Sequence, residues 1–390
     1  MKICAVVAEY NPFHLGHLKQ IDFVKRELNA QKVIVIMSGN FTQRGEIAVL
    51  DKFTRARHAV IAGADLVIEL PVVFSTANAE TFATGAINIL NSLGCVDGIC
   101  FGVENGGEKD YLALAKAMLN ESKEFKKALK DALDTGVSLA KAKECAVKAV
   151  YGDKFDESLL NLPNNVLGLE YTKAIIKNKS NIKIYPLLRS GDHNDKTLKK
   201  GITSATSIRE TLKIGKKSKL KKSVPPFVYK DLGDYPFAFD KIAMAKLIST
   251  PTDELKNIVD CSEGLENRIK ALSKDNLTID KLIEKATTKR YPATRISRII
   301  TANLLGVNRE FVKDCLESPL YAKVLAVDEN QKAIISDLAN TSKIPLITRK
   351  SDVKELKKTA KLCFDKDVLA NDLYSLITSK ITNENYTLFV

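Results

Sequence analysis

No run of about 18 apolar residues occurs in the 390-residue chain, so no transmembrane helix is expected. The seven cysteines (Cys4, Cys95, Cys100, Cys145, Cys261, Cys315 and Cys363) are odd in number and contain no Cys-x-x-Cys pair. That spacing argues against a disulfide framework and a cysteine zinc site, and it fits a reducing cytoplasm. Histidine is scarce, with four residues in all. The opening MKICAVVAEYNPFHLGHL has no cleavage pattern and reads as a first strand rather than a signal peptide. Acidic residues are outnumbered, 47 against 60 Lys and Arg, which leaves a net charge of +13. The remaining composition, 45% hydrophobic and 27% charged, is that of a globular chain, and the length suits two or three domains.

The excess positive charge is localised. Residues 1–176 carry a net −1, residues 177–222 a net +11 and residues 223–390 a net +3. The middle stretch ends in Lys213, Lys216, Lys217, Lys219, Lys221 and Lys222. Charge focused in this way points to a phosphate-rich partner, whereas a solvated tether is the plainer alternative.

Apolar runs at Lys2–Glu9, Val33–Met37, Asp65–Val73, Val96–Val103 and Ile182–Leu187 read as strands. Between them, Leu15–Leu28, Lys52–Ala62, Asn78–Leu93 and Val166–Lys177 carry helical spacing, and Ser204–Leu212 follows as a helix. Strands alternating with helices predict βαβ units and a parallel sheet, an α/β fold. The alternation fades near Val224-Pro225-Pro226, where a boundary is expected. Beyond it short helices dominate, with a strand–helix–strand candidate at Val324–Ile347.

Two motifs carry chemistry. The first, Glu9-Tyr10-Asn11-Pro12-Phe13-His14-Leu15-Gly16-His17, joins the first strand to the first helix. In an open α/β sheet, ligands sit beyond the carboxyl ends of the strands, and a helix N-terminus offers N–H groups to phosphate. Two imidazoles there can donate to phosphoryl oxygens that gain charge in a transition state. His-x-x-His is too closely spaced for the usual helical metal pair and no third ligand is evident, so no metal site is expected. The second motif, Thr203-Ser204-Ala205-Thr206-Ser207-Ile208-Arg209, opens a helix with hydroxyls that can cap it and bind phosphate. Arg209, one turn in, could reach a leaving pyrophosphate.

Asn-Pro-Phe-His-Leu-Gly-His resembles the HxGH signature of the nucleotidyltransferase superfamily, and the second motif is similar to that superfamily's Ser-Ser/Ala-Thr-x-Ile/Leu-Arg element. More blocks occur in order: SGNFTQRGE (38–46), DKFTRARHAVIAGADLVIELP (51–71), FGVE (101–104), LPNNVLGLEYTKAI (162–175) and KRYPATRISRI (289–299). Together they resemble the bacterial tRNA(Met) cytidine acetate ligase family over roughly the whole chain. The resemblance implies an enzyme that uses ATP and acetate to form N4-acetylcytidine at the wobble position of elongator tRNA(Met), through an acetyl-adenylate.

The implied fold is a Rossmann-like nucleotidyltransferase domain over 1–225 and a mainly helical tRNA-contacting domain over 226–390. The implied catalytic residues are His14, His17, Thr206 and Arg209. The ATP site maps onto Val7, Ala8, Glu9, Tyr10, Asn11, Pro12, Phe13, His14, Leu15, Gly16, His17, Leu18, Lys19 and Gln20. It continues through Gly102, one of Asn164 and Asn165, Arg189 and Ser204. Mg²⁺ is expected to bridge phosphates, although no carboxylate cluster marks its ligands. Lys52 and Arg55, which open a helix at the ligand edge, are candidates to neutralise a carboxylate or phosphate, and His193 lies on a polar loop. For tRNA, the lysine cluster 213–222 would track the backbone, and Lys289, Arg290, Tyr291, Arg295 and Arg298 would add phosphate contacts and a stacking ring. Two rival readings remain: an adenylyltransferase acting on another small substrate, and a noncatalytic RNA-binding protein.

Overall fold

The computed structural model describes residues 2–189, 203–381, 384 and 387–390. His193 lies outside the described residues. Five strands alternate with helices in the first half: β1 (Ile3–Ala8), β2 (Lys32–Ser38), β3 (Leu66–Leu70), β4 (Gly98–Val103) and β5 (Lys183–Leu188). They pair in parallel, in the order β5-β4-β1-β2-β3, with Val6 opposite Val35 and Cys100. Successive residues of a strand point to opposite faces, and both faces here are apolar. Ala5, Ile34 and Ile36 enter one core, while Cys4, Val6, Val33, Val35 and Met37 enter the other. Helices α1 (Leu15–Arg26) and α2 (Lys52–Ile61) follow β1 and β2. The expected strands and helices of this half are present, except that the third apolar run divides into β3 and a short helix at Val72–Ser75.

The sheet does not end at residue 225. After a run of short helices, β6 (Ala322–Val327) lies antiparallel against β3, with Leu66 opposite Val327. On its other side β6 carries β7 (Leu346–Ile347) and β8 (Leu388–Phe389), both parallel to it. The larger core runs without interruption from Ile34 and Ile87 to Ile299, Phe364 and Tyr374. The division near 225 therefore marks a change in element type within one continuous sheet and core. Among the described residues, no helix is long and apolar enough to cross a membrane.

Candidate active site

His14 is the N-cap of α1, with extended backbone angles of −142° and 177°. Its Nδ1 accepts from the Gly16 N–H at 3.0 Å, and its own N–H donates to His17 Nδ1 at 3.2 Å. The two imidazoles thus supply both halves of a capping box, a task usually given to Ser and Glu. Each Nδ1 is an acceptor, so each neutral ring carries its proton on Nε2. The rings stack at 3.7 Å and 20°. Tyr10, in the left-handed region at φ 49°, turns the chain out of β1 and meets the His17 ring edge-on at 4.8 Å. Phe13 supports the same ring at 5.5 Å from within the core.

The second motif meets the first. Ser204 caps the helix Ala205–Lys213, its Oγ accepting from Ser207 N at 3.1 Å. Arg209, with its side chain only 8% exposed, reaches back to donate to Asn11 O at 2.9 Å and pairs with Glu46 at 3.0 Å. Asn11 in turn accepts from Val49 N at 2.9 Å. Glu9 is half-buried at the cavity wall and accepts from Gln43 N at 2.7 Å, and desolvation raises its pKa above the usual carboxylate value.

A third wall rises from β4 and β5. A Cβ on Gly102 would stand 3.1 Å from Cγ of Arg189, so any larger residue would push that side chain aside by a few tenths of an ångström where it lies across the strand end. Arg189 donates to Asn164 Oδ1 at 3.1 Å, and Asn164 donates to Glu104 at 2.5 Å. Burial lowers the Arg189 pKa, with Glu104 opposing the shift.

These walls enclose a cavity of about 890 Å³. Val7, Ala8, Glu9, Tyr10, Asn11, His14, Gly16, His17, Lys19 and Gln20 line it, as do Gly102, Asn164, Arg189, Ser204, Thr206 and Arg209. Five expected residues do not. Pro12 and Phe13 are buried, and Leu15 and Leu18 occupy other faces of the α1 entry, where they leave the lining to the histidines. Asn165 lies beneath the cavity, fully buried. Its Oδ1 accepts from Glu104 N at 2.8 Å and Tyr111 Oη at 2.9 Å, and its Nδ2 donates to Ser158 O at 3.0 Å and to Asn105. Of the two asparagines, Asn164 is the one that lines the cavity.

Lys52 and Arg55 also depart from expectation, because neither faces the cavity. Lys52 is buried in an ion cluster with Glu69 (2.8 Å) and Glu384 (2.5 Å), which Lys323 also joins. Arg55 donates to the carbonyls of Leu50, Glu9, Ser38 and Gly39, tying together the ends of β1 and β2, and burial lowers its pKa.

Gln43 and Arg44, from the SGNFTQRGE block that follows β2 at the ligand edge, also line the cavity, as do residues not singled out by sequence: Phe101 and Tyr171 as an apolar wall, and Thr294 from the second half. Arg298 lines it as well, its Nε donating to Asp260 at 2.8 Å. The other basic candidates lie elsewhere. Arg295 bonds to Asp260 O and Ser262 and already covers the Tyr291 ring at 5.3 Å. Arg290 pairs with Glu263, and Lys289 is exposed. Lys213 and Lys217 fold over Tyr235 and Tyr229, while Lys216, Lys219, Lys221 and Lys222 are exposed.

A family model described as HIGH Nucleotidyl Transferase matches residues 1–387. Similar sequences include the tRNA(Met) cytidine acetate ligase of Clostridium novyi, 36% identical over 99% of this chain and 98% of that protein. That of Caldanaerobacter subterraneus is 37% identical over 96% and 95%. The chain belongs to the tRNA(Met) cytidine acetate ligase family of HIGH nucleotidyl transferases. Its fold agrees: Thermotoga maritima TmcAL bound with alpha-thio ATP superposes with a TM-score of 0.91 at 29% identity, and the apo form with 0.94 at 28%, each over the whole of both chains. Within the family fold, the cavity between the two signature motifs is the candidate ATP site.

Proposed function

We propose that this chain is an ATP-dependent ligase that joins acetate to N4 of the wobble cytidine of elongator tRNA(Met). The observation that carries the reading is the Arg209–Asn11 hydrogen bond, which locks the two phosphate motifs onto one cavity. An acetate oxygen attacks the ATP α-phosphorus and pyrophosphate leaves. His14 and His17, as Nε2–H donors, and Arg209 stabilise charge growing on the phosphoryl oxygens. The N-termini of α1 and of the Ser204-capped helix add their backbone N–H groups. The cytidine amine then attacks the acetyl carbonyl, the C–O bond to AMP breaks, and the amine proton is released.

Asn164 and Arg189 are placed to contact the nucleotide, with Phe101 and Tyr171 as an apolar face. A divalent cation finds no ready cage, since among the described residues no three His, Cys, Asp or Glu side chains converge. No step is therefore assigned to Mg²⁺. The wobble base belongs to a single-stranded loop, which can be splayed into a pocket. Exposed lysines of 216–222 and the basic face near Lys289 would hold the flanking phosphates, in the cytoplasm where tRNA resides.

The test is direct. Protein, labelled acetate, ATP and tRNA are incubated, and the digested nucleosides are separated. Labelled N4-acetylcytidine is expected. ATP turnover with some other small substrate alone, or RNA binding without ATP dependence, would refute the reading.

A further inference from the structure

Arg209 is not held by its own helix. One arm of its guanidinium is fixed by Asn11 O and the other by Glu46 Oε2 at 3.0 Å. Glu46 lies in the loop between β2 and α2, in a tight turn where Gly45 N donates to Thr42 O and Thr42 N donates to Glu46 O, both at 2.9 Å. Phe41 and Ile47 pair as an isolated antiparallel bridge at the base of the turn. The tip is fastened from the other half of the chain. Gly45 O accepts from Ser297 Oγ at 3.0 Å and from Thr301 Oγ1 at 2.7 Å, two hydroxyls one turn apart on the helix Ala293–Leu305. Gly45 has φ +72°, and a Cβ there would lie 2.5 Å from the backbone N of Arg298. Only glycine allows so close an approach.

We propose that Glu46 is a positioning residue for the adenylation step, acting through Arg209, and that the Ser297/Thr301 latch on Gly45 makes its position depend on the second half of the chain. An arginine side chain has several rotamers, and one anchoring bond leaves its fork free to swing. Two anchors on different arms fix the plane of the fork, which planar recognition of phosphate requires. The two contacts engage two of the five N–H donors, so the rest of the fork serves the phosphates. Pre-orientation of this kind lowers the barrier rather than the dissociation constant of ATP. The inference rests on the proposed role of Arg209.

The experiment is acetate-dependent exchange of labelled pyrophosphate into ATP, with kcat and KM determined separately. For Glu46→Ala, kcat is expected to fall about 10- to 100-fold while KM for ATP changes less than about threefold. Glu46→Gln, which keeps an acceptor, should recover most of the loss. Adding Glu46→Ala to Arg209→Ala should cost nothing further, because the two act as one unit. The double variant Ser297→Ala/Thr301→Val, outside the cavity, should reproduce the kcat loss in milder form, and it tests the idea if Glu46→Ala does not fold. Wild-type kcat in both Glu46→Ala and the latch variant, or additive losses with Arg209→Ala, would overturn it. Absence of exchange in the wild-type protein would instead remove the ligase reading itself, and this inference with it.

Discussion

The imidazoles of His14 and His17 lie face to face, 3.7 Å between centroids, each holding a backbone N–H of the same helix start. One atom of each ring therefore serves the fold, and in the proposed reaction the other serves the chemistry. Substitution should separate these roles. His17→Ala is expected to lose about 1 kcal/mol of stability with the cap, and about 100-fold or more in acetate-dependent ATP consumption. His17→Asn, which can still accept from the N-cap N–H, should recover the stability but not the rate. Urea titration beside the exchange assay reads both. Recovery of the rate by Asn would show that the ring contributes only a cap.

The adjacent asparagines should behave in opposite ways. Asn164→Ala is expected to raise KM for ATP with little change in stability, since its partner Arg189 lies at the cavity wall and its other partner, Glu104, is only half-buried. Asn165→Ala leaves the Glu104 N–H without its acceptor and takes one of two bonds from Tyr111 Oη and from Ser158 O, at a cost of about 1–3 kcal/mol. Denaturation midpoints and ATP affinity for the two variants decide between this assignment and its reverse.

The buried acid Asp367 should leave a mark on the pH profile. Burial first, then the nearby Glu69 charge, push its pKa up from 3.8 to about 7. It accepts from Val72 N at 2.7 Å and bonds to Tyr321 Oη at 2.5 Å. The folded state prefers the protonated form, so this group's stabilising contribution is complete below pH about 4 and is lost as the pH rises towards about 7. Asp367→Asn removes that titration, and its stability relative to wild type should improve as the pH rises through this window. Lys323 in the same region is lowered by burial from 10.5 to about 7, so its own titration alters stability between those two values, above the window. Parallel slopes for variant and wild type between pH 4 and 7 would show that Asp367 is already ionised in the fold.

The exposed lysines should govern the salt response of tRNA binding. Replacing Lys216, Lys219, Lys221 and Lys222 with Ser should lower the slope of log affinity against log salt by up to about 3, roughly 0.7 for each single-strand phosphate no longer neutralised. An unchanged slope would place the RNA on another face.

Much of this was readable from local pattern. The two motifs, the five strands of the first half and the strand–helix–strand at 322–347 all follow from periodicity and capping residues that act within a few positions. The misplaced residues share a different character. Lys52 and Arg55 are one turn apart at the start of a helix and have the pattern of a solvated or ligand-facing pair. The burial of Lys52 depends on Glu69, Lys323 and Glu384, and Glu384 lies 332 positions from it. Asn164 and Asn165 are indistinguishable by type, and only the direction of the helix turn sends one to the cavity and the other beneath it. Arg298 carries the same difficulty, since its helix becomes a cavity wall only after Gly45 docks on it.

The antiparallel pairing of β3 with β6 also has a consequence for synthesis. On the ribosome, β3 emerges with an unpaired edge, and the strand that covers it begins at Ala322, roughly 250 residues later. At about 5–20 residues per second, that edge waits on the order of 10–50 s. For the latter part of that interval the nascent chain already carries both phosphate motifs, but the open edge of its sheet lacks the neighbour that shields it from other chains.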